Sequence, residues 1–223
     1  MTPLAGLYLF LLGLAGGVVL LTLTAYRRVS PPWVKGLLLA VGLFMFGRYA
    51  TMALFAAAAR PEPLWALRHF WFATSLGLPL SSAFALDQLI RHPAMTPKKL
   101  LVRLSPFLLA YAAVILFGRA TPVPDRVIGW SLHLSPGWQR LLSATHGLFV
   151  AGFLGICALL IRKIPTRAIR IALFGLAFGQ ACLAADGFIL ASGHWYFRPY
   201  LYSELLMLAA LWHAFETAGA QTS

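Results

Sequence analysis

Residues 4–26 read LAGLYLFLLGLAGGVVLLTLTAY, an apolar run without one charged residue, and Arg27 and Arg28 follow it directly. A helix needs about 20 such residues to cross the hydrocarbon core of a bilayer. A cleavable signal carries basic residues before its apolar run, and this run has none before it. We therefore expect residues 4–26 to be a retained transmembrane helix.

Six further apolar runs of spanning length follow along the chain, and prolines separate them. Proline ends helices because it lacks an amide hydrogen and restricts the residue before it. Lipid gives backbone N–H and C=O groups no water to bind, so each run is expected to be helical. The predicted spans are residues 4–26, 33–59, 64–90, 101–118, 138–161, 168–192 and 197–217. The sequence therefore predicts an all-α polytopic membrane protein, with residues 1–223 forming a single domain of seven transmembrane helices.

The composition agrees with a bilayer environment. Hydrophobic residues make up 60% of the chain and charged residues 11%, whereas a water-soluble domain is about 25% charged. The formal net charge of +12 raises the question of nucleic acid binding. The basic residues, however, lie in short groups between apolar runs, as in proteins that use them for membrane topology and anionic head groups. We expect the lipid bilayer as a partner and no nucleic acid.

Lysine and arginine favour cytoplasmic connections, which gives the spans a direction. The first, third and fifth connections are the more basic ones and carry Arg27, Arg28, Lys35; Arg91, Lys98, Lys99, Arg103; and Arg162, Lys163, Arg167, Arg170. The other three carry Arg60, Arg68; Arg119, Arg126, Arg140 over a longer stretch; and Arg198. This asymmetry predicts an N-terminus outside and a C-terminus inside, in a bacterial-type inner (plasma) membrane.

Ionisable side chains within predicted spans are costly in lipid, so each one is a functional hypothesis. Their depth follows from the orientation and from the helical rise of about 1.5 Å per residue. Five residues from five helices come to the outer half of the bundle or close to its midplane: Arg48, His69, His146, Asp186 and Glu204. We predict that these five line one outward-facing polar pocket that binds a ligand.

The charge on Arg48 requires a partner, and Asp186 and Glu204 are the available carboxylates. An unpaired buried arginine would be more costly than a paired one. The alternative interpretation is that such a pair only holds helices together, while Arg68 and His69 extend their polar ends to the membrane interface.

Motifs of membrane enzymes are absent from the chain. It has no HExxH motif of zinc hydrolases, no GxSxG nucleophile motif, and no lysine on the seventh predicted helix to carry retinal. We therefore expect neither a catalytic site nor a metal site. One redox alternative stays open, because His69 and His146 have similar depths and two such histidines bind a haem b, with Arg68 or Arg48 at its propionates.

Glycine and proline positions predict how the helices pack. Gly13 and Gly17, and likewise Gly175 and Gly179, are four residues apart and allow close approach of another helix, which we expect within the same chain. Pro79 is expected to kink the third helix. In the long connection at residues 119–137, the segment Val127–Leu134 is expected to form an amphipathic interfacial piece or a short strand.

Three groups of residues support a family resemblance. They are His69-Phe70-Trp71 followed by Gly77-Leu78-Pro79-Leu80; Pro136-Gly137-Trp138 leading to Thr145-His146-Gly147-Leu148; and Arg170-Ile171-Ala172-Leu173-Phe174-Gly175. In this order they resemble the seven-helix N-terminal membrane sensor module of bacterial histidine kinases. The resemblance implies that the module receives an outside or intramembrane signal and passes it to a C-terminal output domain. Because this chain ends soon after the seventh run, we expect a stand-alone module whose output lies on a separate partner.

These features lead to one main hypothesis and two alternatives. The main hypothesis is a non-enzymatic inner-membrane sensor, receptor-like or accessory protein. It has a protein partner in the membrane or cytoplasm, and a small ligand or a partner helix enters its outer pocket. The alternatives are a haem-b subunit of a membrane redox complex and a structural subunit of a membrane assembly.

Overall fold

The computed structural model describes residues 2–93, 95–191 and 200–221. In these ranges the chain forms eight α-helices and one two-stranded antiparallel sheet, which confirms the all-α prediction. The helices are α1 (Pro3–Ala25), α2 (Pro32–Ala57), α3 (Arg68–Trp71), α4 (Ala73–Ile90), α5 (Pro97–Phe117), α6 (Pro136–Lys163), α7 (Arg167–Ala191) and α8 (Leu201–Ala220). The strands are β1 (Ala120–Pro124) and β2 (Trp130–Leu134), and 3₁₀ turns cover Tyr26–Arg28 and Glu62–Leu67.

Five helical segments are long and apolar enough to cross a membrane. They are Pro3–Arg28, Pro32–Ala57, Pro97–Phe117, Pro136–Lys163 and Arg167–Ile189. These five agree with a multi-pass membrane protein. Helices α4 and α8 are not among them, because their interiors carry buried polar side chains such as Ser81, Gln88 and Glu204.

The predicted spans match the helices except at the third. The prediction of one continuous helix over residues 64–90 is wrong, since the chain leaves helical geometry at Phe72 (φ −104°, ψ 14°) and divides the segment into a 3₁₀ turn, α3 and α4. Pro79 lies inside α4. Residue 192 of the sixth predicted span and residues 197–199 of the seventh, which include Arg198, lie outside the described residues.

Helix α8 lies in the middle of the bundle and packs against α1, α4 and α7. The predicted packing of α7 through its glycines is confirmed. A Cβ at Gly175 would lie 3.6 Å from Ala210, and one at Gly179 would lie 2.6 Å from the Sδ of Met207, both on α8. The same prediction is wrong for Gly13 and Gly17. Within the described residues no atom of another helix lies within 4 Å of a Cβ at either, because α1 turns its Tyr8, Leu12, Ala15 and Val19 face toward the bundle.

Side-chain hydrogen bonds hold the C-terminal ends of α1, α4 and α8 together. Arg28 pairs with Glu216 at 2.6 Å. The side-chain amide of Gln88 bonds to both backbone groups of Ser30: its Nε2 donates to the carbonyl oxygen at 2.8 Å, and its Oε1 accepts from the N–H at 3.3 Å. This end of the bundle therefore carries the connection between α1 and α2.

The hairpin of β1 and β2 lies at the opposite end of the bundle, against the C-terminal end of α2. Its register pairs Ala120 with Leu134 and Pro124 with Trp130. Gly129 has a φ of 65°, and a Cβ there would collide with the carbonyl oxygens of Phe55 and Ala56, so glycine is required. Of the two predictions for Val127–Leu134, the structure adopts the short strand.

Candidate functional site

Glu204 lies in the first turn of α8, with only 3% of its surface exposed. The N-terminal end of a helix carries a partial positive charge, which favours a carboxylate at this position. The backbone N–H of Glu204 donates to the carbonyl of Tyr200 at 2.7 Å, which begins the helix. The start of α8 therefore brings an anionic group into the interior of the bundle.

Arg48 in α2 is the charge partner of Glu204. Its Nη2 lies 2.8 Å from Oε1 of Glu204, and its Nε donates to Oε2 at 3.3 Å. The side chains of the pair are 11% and 4% exposed, so neither charge has much contact with the surroundings of the bundle. Of the two carboxylates predicted as partners of Arg48, the structure pairs Glu204 with it.

Neutral groups complete the coordination of both charges. Thr74 donates its hydroxyl to Oε1 of Glu204 at 2.8 Å, and Tyr49 donates its hydroxyl to Oε2 at 3.0 Å. Nη1 of Arg48 donates to the backbone carbonyl of Trp71. We call Arg48, Tyr49, Trp71, Thr74 and Glu204 the Arg48–Glu204 cluster. It connects α2, α3, α4 and α8.

The break in the third predicted helix supplies one of these partners. Trp71 is the last residue of α3, and the last carbonyls of a helix have no N–H partner within that helix. The guanidinium of Arg48 satisfies this carbonyl. Thr74, in the first turn of the helix that follows, turns its hydroxyl to the same carboxylate that binds Arg48. Because Phe72 is not helical, the carbonyl of Trp71 before it and the hydroxyl of Thr74 after it can both join the cluster.

Asp186 on α7 is 6% exposed, and within the described residues its hydrogen bond toward the site is to Tyr200. It accepts the backbone N–H of Tyr200 at 3.0 Å. Tyr200 has a φ of 72°, a strained value for a residue with a Cβ, and this hydrogen bond helps to hold it. The carbonyl of Tyr200 accepts the backbone N–H of Glu204 at 2.7 Å, which connects it to the cluster. Asp186 therefore positions the residue at which α8 begins.

The two histidines of the predicted pocket both bind α5. Nδ1 of His69 lies 2.8 Å from the carbonyl oxygen of Ile115, in the last turn of that helix. A carbonyl only accepts, so Nδ1 of His69 is the protonated nitrogen. Nδ1 of His146 lies 3.3 Å from the hydroxyl of Tyr111, one turn earlier on α5. Within the described residues neither histidine hydrogen-bonds to the Arg48–Glu204 cluster.

The structure thus divides the five predicted pocket residues by their contacts. Arg48 and Glu204 bind each other, Asp186 reaches them through Tyr200, and His69 and His146 contact α5. Sequence reasoning missed Tyr49, Thr74 and Tyr200, which are uncharged and so gave no signal in a search for ionisable groups. One pattern does point to Thr74: it lies seven residues before Ser81 and fourteen before Gln88, on the inward face of α4.

A second polar contact lies nearer the middle of α4. Nε2 of Gln180 donates to Oγ of Ser82 at 2.8 Å, and that hydroxyl donates onward to the carbonyl of Leu78 at 2.6 Å. Both polar side chains are fully buried. This contact joins α7 to α4 without any charge.

No group of three or more metal-ligating side chains occurs in the part of the chain that the structure describes. Two open cavities of about 480 and 490 Å³ lie where α2 ends. Leu54, Leu64 and Arg60 line the first, and Arg60, Glu62 and Trp130 line the second. None of the five predicted pocket residues lines either cavity.

No protein-family model matches the chain, and no curated protein matches it. The resemblance to the membrane sensor modules of histidine kinases therefore stays a prediction.

Proposed function

We propose that this chain is a seven-span, bacterial inner-membrane receptor-like or accessory protein without enzymatic activity, with its N-terminus outside and its C-terminus in the cytoplasm. The Arg48–Glu204 cluster is the element that responds to a small ligand or a partner helix. The observation that carries the proposal is a buried ion pair, coordinated from four helices, in a bundle of apolar helices.

The lengths of α4 and α8 support seven spans. With 18 and 20 residues they extend about 27 and 30 Å, close to the thickness of a hydrocarbon core. Both pack inside the bundle with the five more apolar helices. Their polar side chains Thr74, Gln88 and Glu204 are buried among neighbouring helices, so lipid does not contact them.

The contacts at the bundle ends support the orientation. The pairs Arg28–Glu216 and Ser30–Gln88 bring the first basic connection to the C-terminal ends of α4 and α8. The third basic connection begins at Arg91, directly after α4. Since basic connections face the cytoplasm, this end is cytoplasmic and the hairpin end is outside.

The cluster is better suited to a switch than to stabilisation. Well-packed apolar side chains often match or exceed the stability that a buried ion pair provides, so an ion pair in this position indicates another role. Arg48 directs its Nε and Nη2 at the two oxygens of Glu204, and each of these oxygens also accepts from a hydroxyl, so an anionic ligand or a partner helix that binds Arg48 competes with Glu204 for the guanidinium. Such a ligand favours a state in which α8 is released from α2, and its differential affinity shifts the population.

The proposal is tested by replacing the pair with apolar residues of similar size. A strain that lacks the gene is complemented with the double variant Arg48→Met/Glu204→Leu, and its transcriptome is compared with that of the deletion strain. The matched control is Ser82→Ala/Gln180→Leu, which removes a buried polar contact that has no charge. We expect both variants to reach wild-type levels in the membrane and only the control to restore the wild-type transcriptome. Full restoration by Arg48→Met/Glu204→Leu would show that the pair is structural only.

One observation favours the haem-b alternative. Metal-ligating histidines usually donate their other ring N–H to a carbonyl or carboxylate, and the Nδ1 of His69 does so toward Ile115, so Nε2 is the nitrogen that would bind iron. Expression under haem-replete conditions followed by absorption spectroscopy tests it. A Soret band that disappears in both His69→Ala and His146→Ala would support haem binding, and a wild-type spectrum without that band would remove the alternative.

A further inference from the structure

Exposed cations gather where three neighbouring helices end. All of them lie at the N-terminal ends of α5 and α7 or at the C-terminal end of α6. They are Lys98, Lys99, Arg103, Arg162, Lys163, Arg167 and Arg170. We call this set the basic surface.

The packing of α5 on α6 makes the basic surface continuous. Phe107 stacks edge-on against Phe149 at 6.0 Å, and Tyr111 contacts His146 at 3.3 Å. Residue numbers rise along one helix as they fall along the other, so the two are antiparallel. The start of α5 therefore lies beside the last turns of α6, and only residues 164–166 separate α6 from α7.

Near the basic surface, none of these three helices carries a carboxylate. The chain has no Asp or Glu between Asp87 and Asp125, and none between Asp125 and Asp186. Two other arginines at the same end of the bundle are satisfied by the protein itself. Arg28 pairs with Glu216, and Arg91 donates to the carbonyls of Gln88 and Ala218. On the basic surface, seven exposed cations therefore accumulate on three adjacent helix ends without acidic residues nearby in sequence.

Exposed apolar side chains lie within two turns of the basic surface on each helix. Val102 on α5 is 71% exposed, Leu159 on α6 is 60% exposed and Ile171 on α7 is 51% exposed. Cations at the helix ends, continued by exposed apolar side chains, match a molecule with an anionic head and hydrocarbon chains. An acidic water-soluble protein would match the cations only.

We infer that the basic surface binds anionic phospholipid, with the phosphate groups on the cations and the acyl chains along α5, α6 and α7. Arginine binds phosphate oxygens through paired N–H groups, and basic residues next to membrane helices attract anionic lipids. This binding site is separate from the Arg48–Glu204 cluster and does not depend on the proposed function.

Native mass spectrometry of the purified full chain in detergent tests the inference with phosphatidylglycerol and phosphatidylcholine of the same acyl chains. We expect the wild type to retain phosphatidylglycerol at least about tenfold more strongly than phosphatidylcholine. We expect this preference to fall as sodium chloride is raised, because salt screens exposed charges. Equal retention of the two lipids by the wild type would overturn the inference.

Charge-neutral variants locate the site. Arg103→Gln/Arg162→Gln/Arg170→Gln removes three charges of the basic surface, and Arg27→Gln/Arg60→Gln/Arg119→Gln removes three exposed charges elsewhere. We expect about a tenfold loss of phosphatidylglycerol preference in the first variant and none in the second. An equal loss in both would overturn the inference, and so would a polyglutamate peptide that binds the wild type more tightly than phosphatidylglycerol does. If the first variant does not fold, the lipid and salt comparisons on the wild type decide.

Discussion

At the scale of single residues, the chemistry of this protein concentrates on Glu204. Each of its carboxylate oxygens has two partners, one from Arg48 and one from a hydroxyl of Tyr49 or Thr74. Because the pair is almost fully enclosed, removing one member leaves an opposite charge buried without its partner. The stability of the fold should therefore depend on both members together rather than on either one alone.

A double-mutant cycle measures this dependence. We expect Arg48→Met or Glu204→Leu alone to lower the free energy of unfolding by about 3–5 kcal/mol, and the double variant to lose much less than the sum. Reversible unfolding in detergent provides the four free energies. The control cycle uses Arg28→Met and Glu216→Leu, whose side chains are 56% and 35% exposed, and there we expect a coupling of about 0–1 kcal/mol. Additive effects at Arg48 and Glu204 would contradict the prediction.

Gly129 is a second position where one residue decides local structure. We expect Gly129→Ala to lower the free energy of unfolding by about 1–3 kcal/mol, because alanine is strained at a φ of 65° and its Cβ meets the backbone of α2. Thermal unfolding in detergent measures the loss. Gly137→Ala is the control, since in the part of the chain that the structure describes no packing neighbour lies within 4 Å of a Cβ at Gly137. A loss of equal size in both variants would argue against the backbone contact.

At the scale of elements, the bundle depends on the close approach of α7 and α8 and on the division of the third predicted helix. Gly179 allows the first, because Met207 occupies the space beside it. Phe72 marks the second, and it places the carbonyl of Trp71 and the hydroxyl of Thr74 on either side of one ion pair. Helix α8 therefore takes part in both features: it packs closely against α7, and its Glu204 forms the ion pair that Thr74 of α4 also coordinates.

Substitution of equivalent glycines separates packing from helix propensity. A Cβ at Gly179 would lie 2.6 Å from Sδ and 3.1 Å from Cα of Met207, so we expect Gly179→Val to cost about 1–3 kcal/mol through a shift of the backbone. Gly13→Val makes the same change on the exposed face of α1, where we expect little loss. Thermal unfolding of the two variants in the same detergent compares them. Equal stability would mean that α7 and α8 do not pack at this glycine.

At the scale of the whole molecule, three basic connections begin near Arg28, Arg91 and Arg162. All three lie at the end of the bundle that is distant from the hairpin. Helices α4 and α8 pack among the apolar helices and bury polar side chains such as Ser81, Gln88 and Glu204. The proposed topology, with seven spans and a cytoplasmic C-terminus, has a direct consequence for the accessibility of the connections.

Cysteine labelling in intact cells measures that consequence. In a Cys157→Ala/Cys182→Ala background, we expect a membrane-impermeant maleimide to label Ala59→Cys and Thr121→Cys at once. Thr96→Cys, Thr166→Cys and Gln221→Cys should react only after the membrane is permeabilised.

Each departure from this pattern has a structural meaning. Labelling of Ala59→Cys and Thr96→Cys from the same side would show that α4 does not cross the membrane. Labelling of Thr166→Cys and Gln221→Cys from opposite sides would show the same for α8. A complete reversal of the pattern would place the N-terminus in the cytoplasm.

The helical class, the approximate helix bounds and the position of the basic connections follow from the amino-acid sequence alone. These properties are local: an apolar run such as residues 4–26 must be helical in lipid whatever it packs against. Depth along a helix is also local, because the rise per residue is constant. For that reason Arg48, Asp186 and Glu204 were recognised together as candidates.

The face that each helix turns toward its neighbours depends on the packing of the whole bundle. Hydropathy does not distinguish Gly13, which is exposed, from Gly179, which packs against Met207. It does not choose Glu204 over Asp186 as the partner of Arg48, and it does not divide residues 64–90 at Phe72. These outcomes depend on contacts between residues far apart in the chain, such as the 2.8 Å approach of Arg48 to Glu204, and such contacts exist only once the helices have packed.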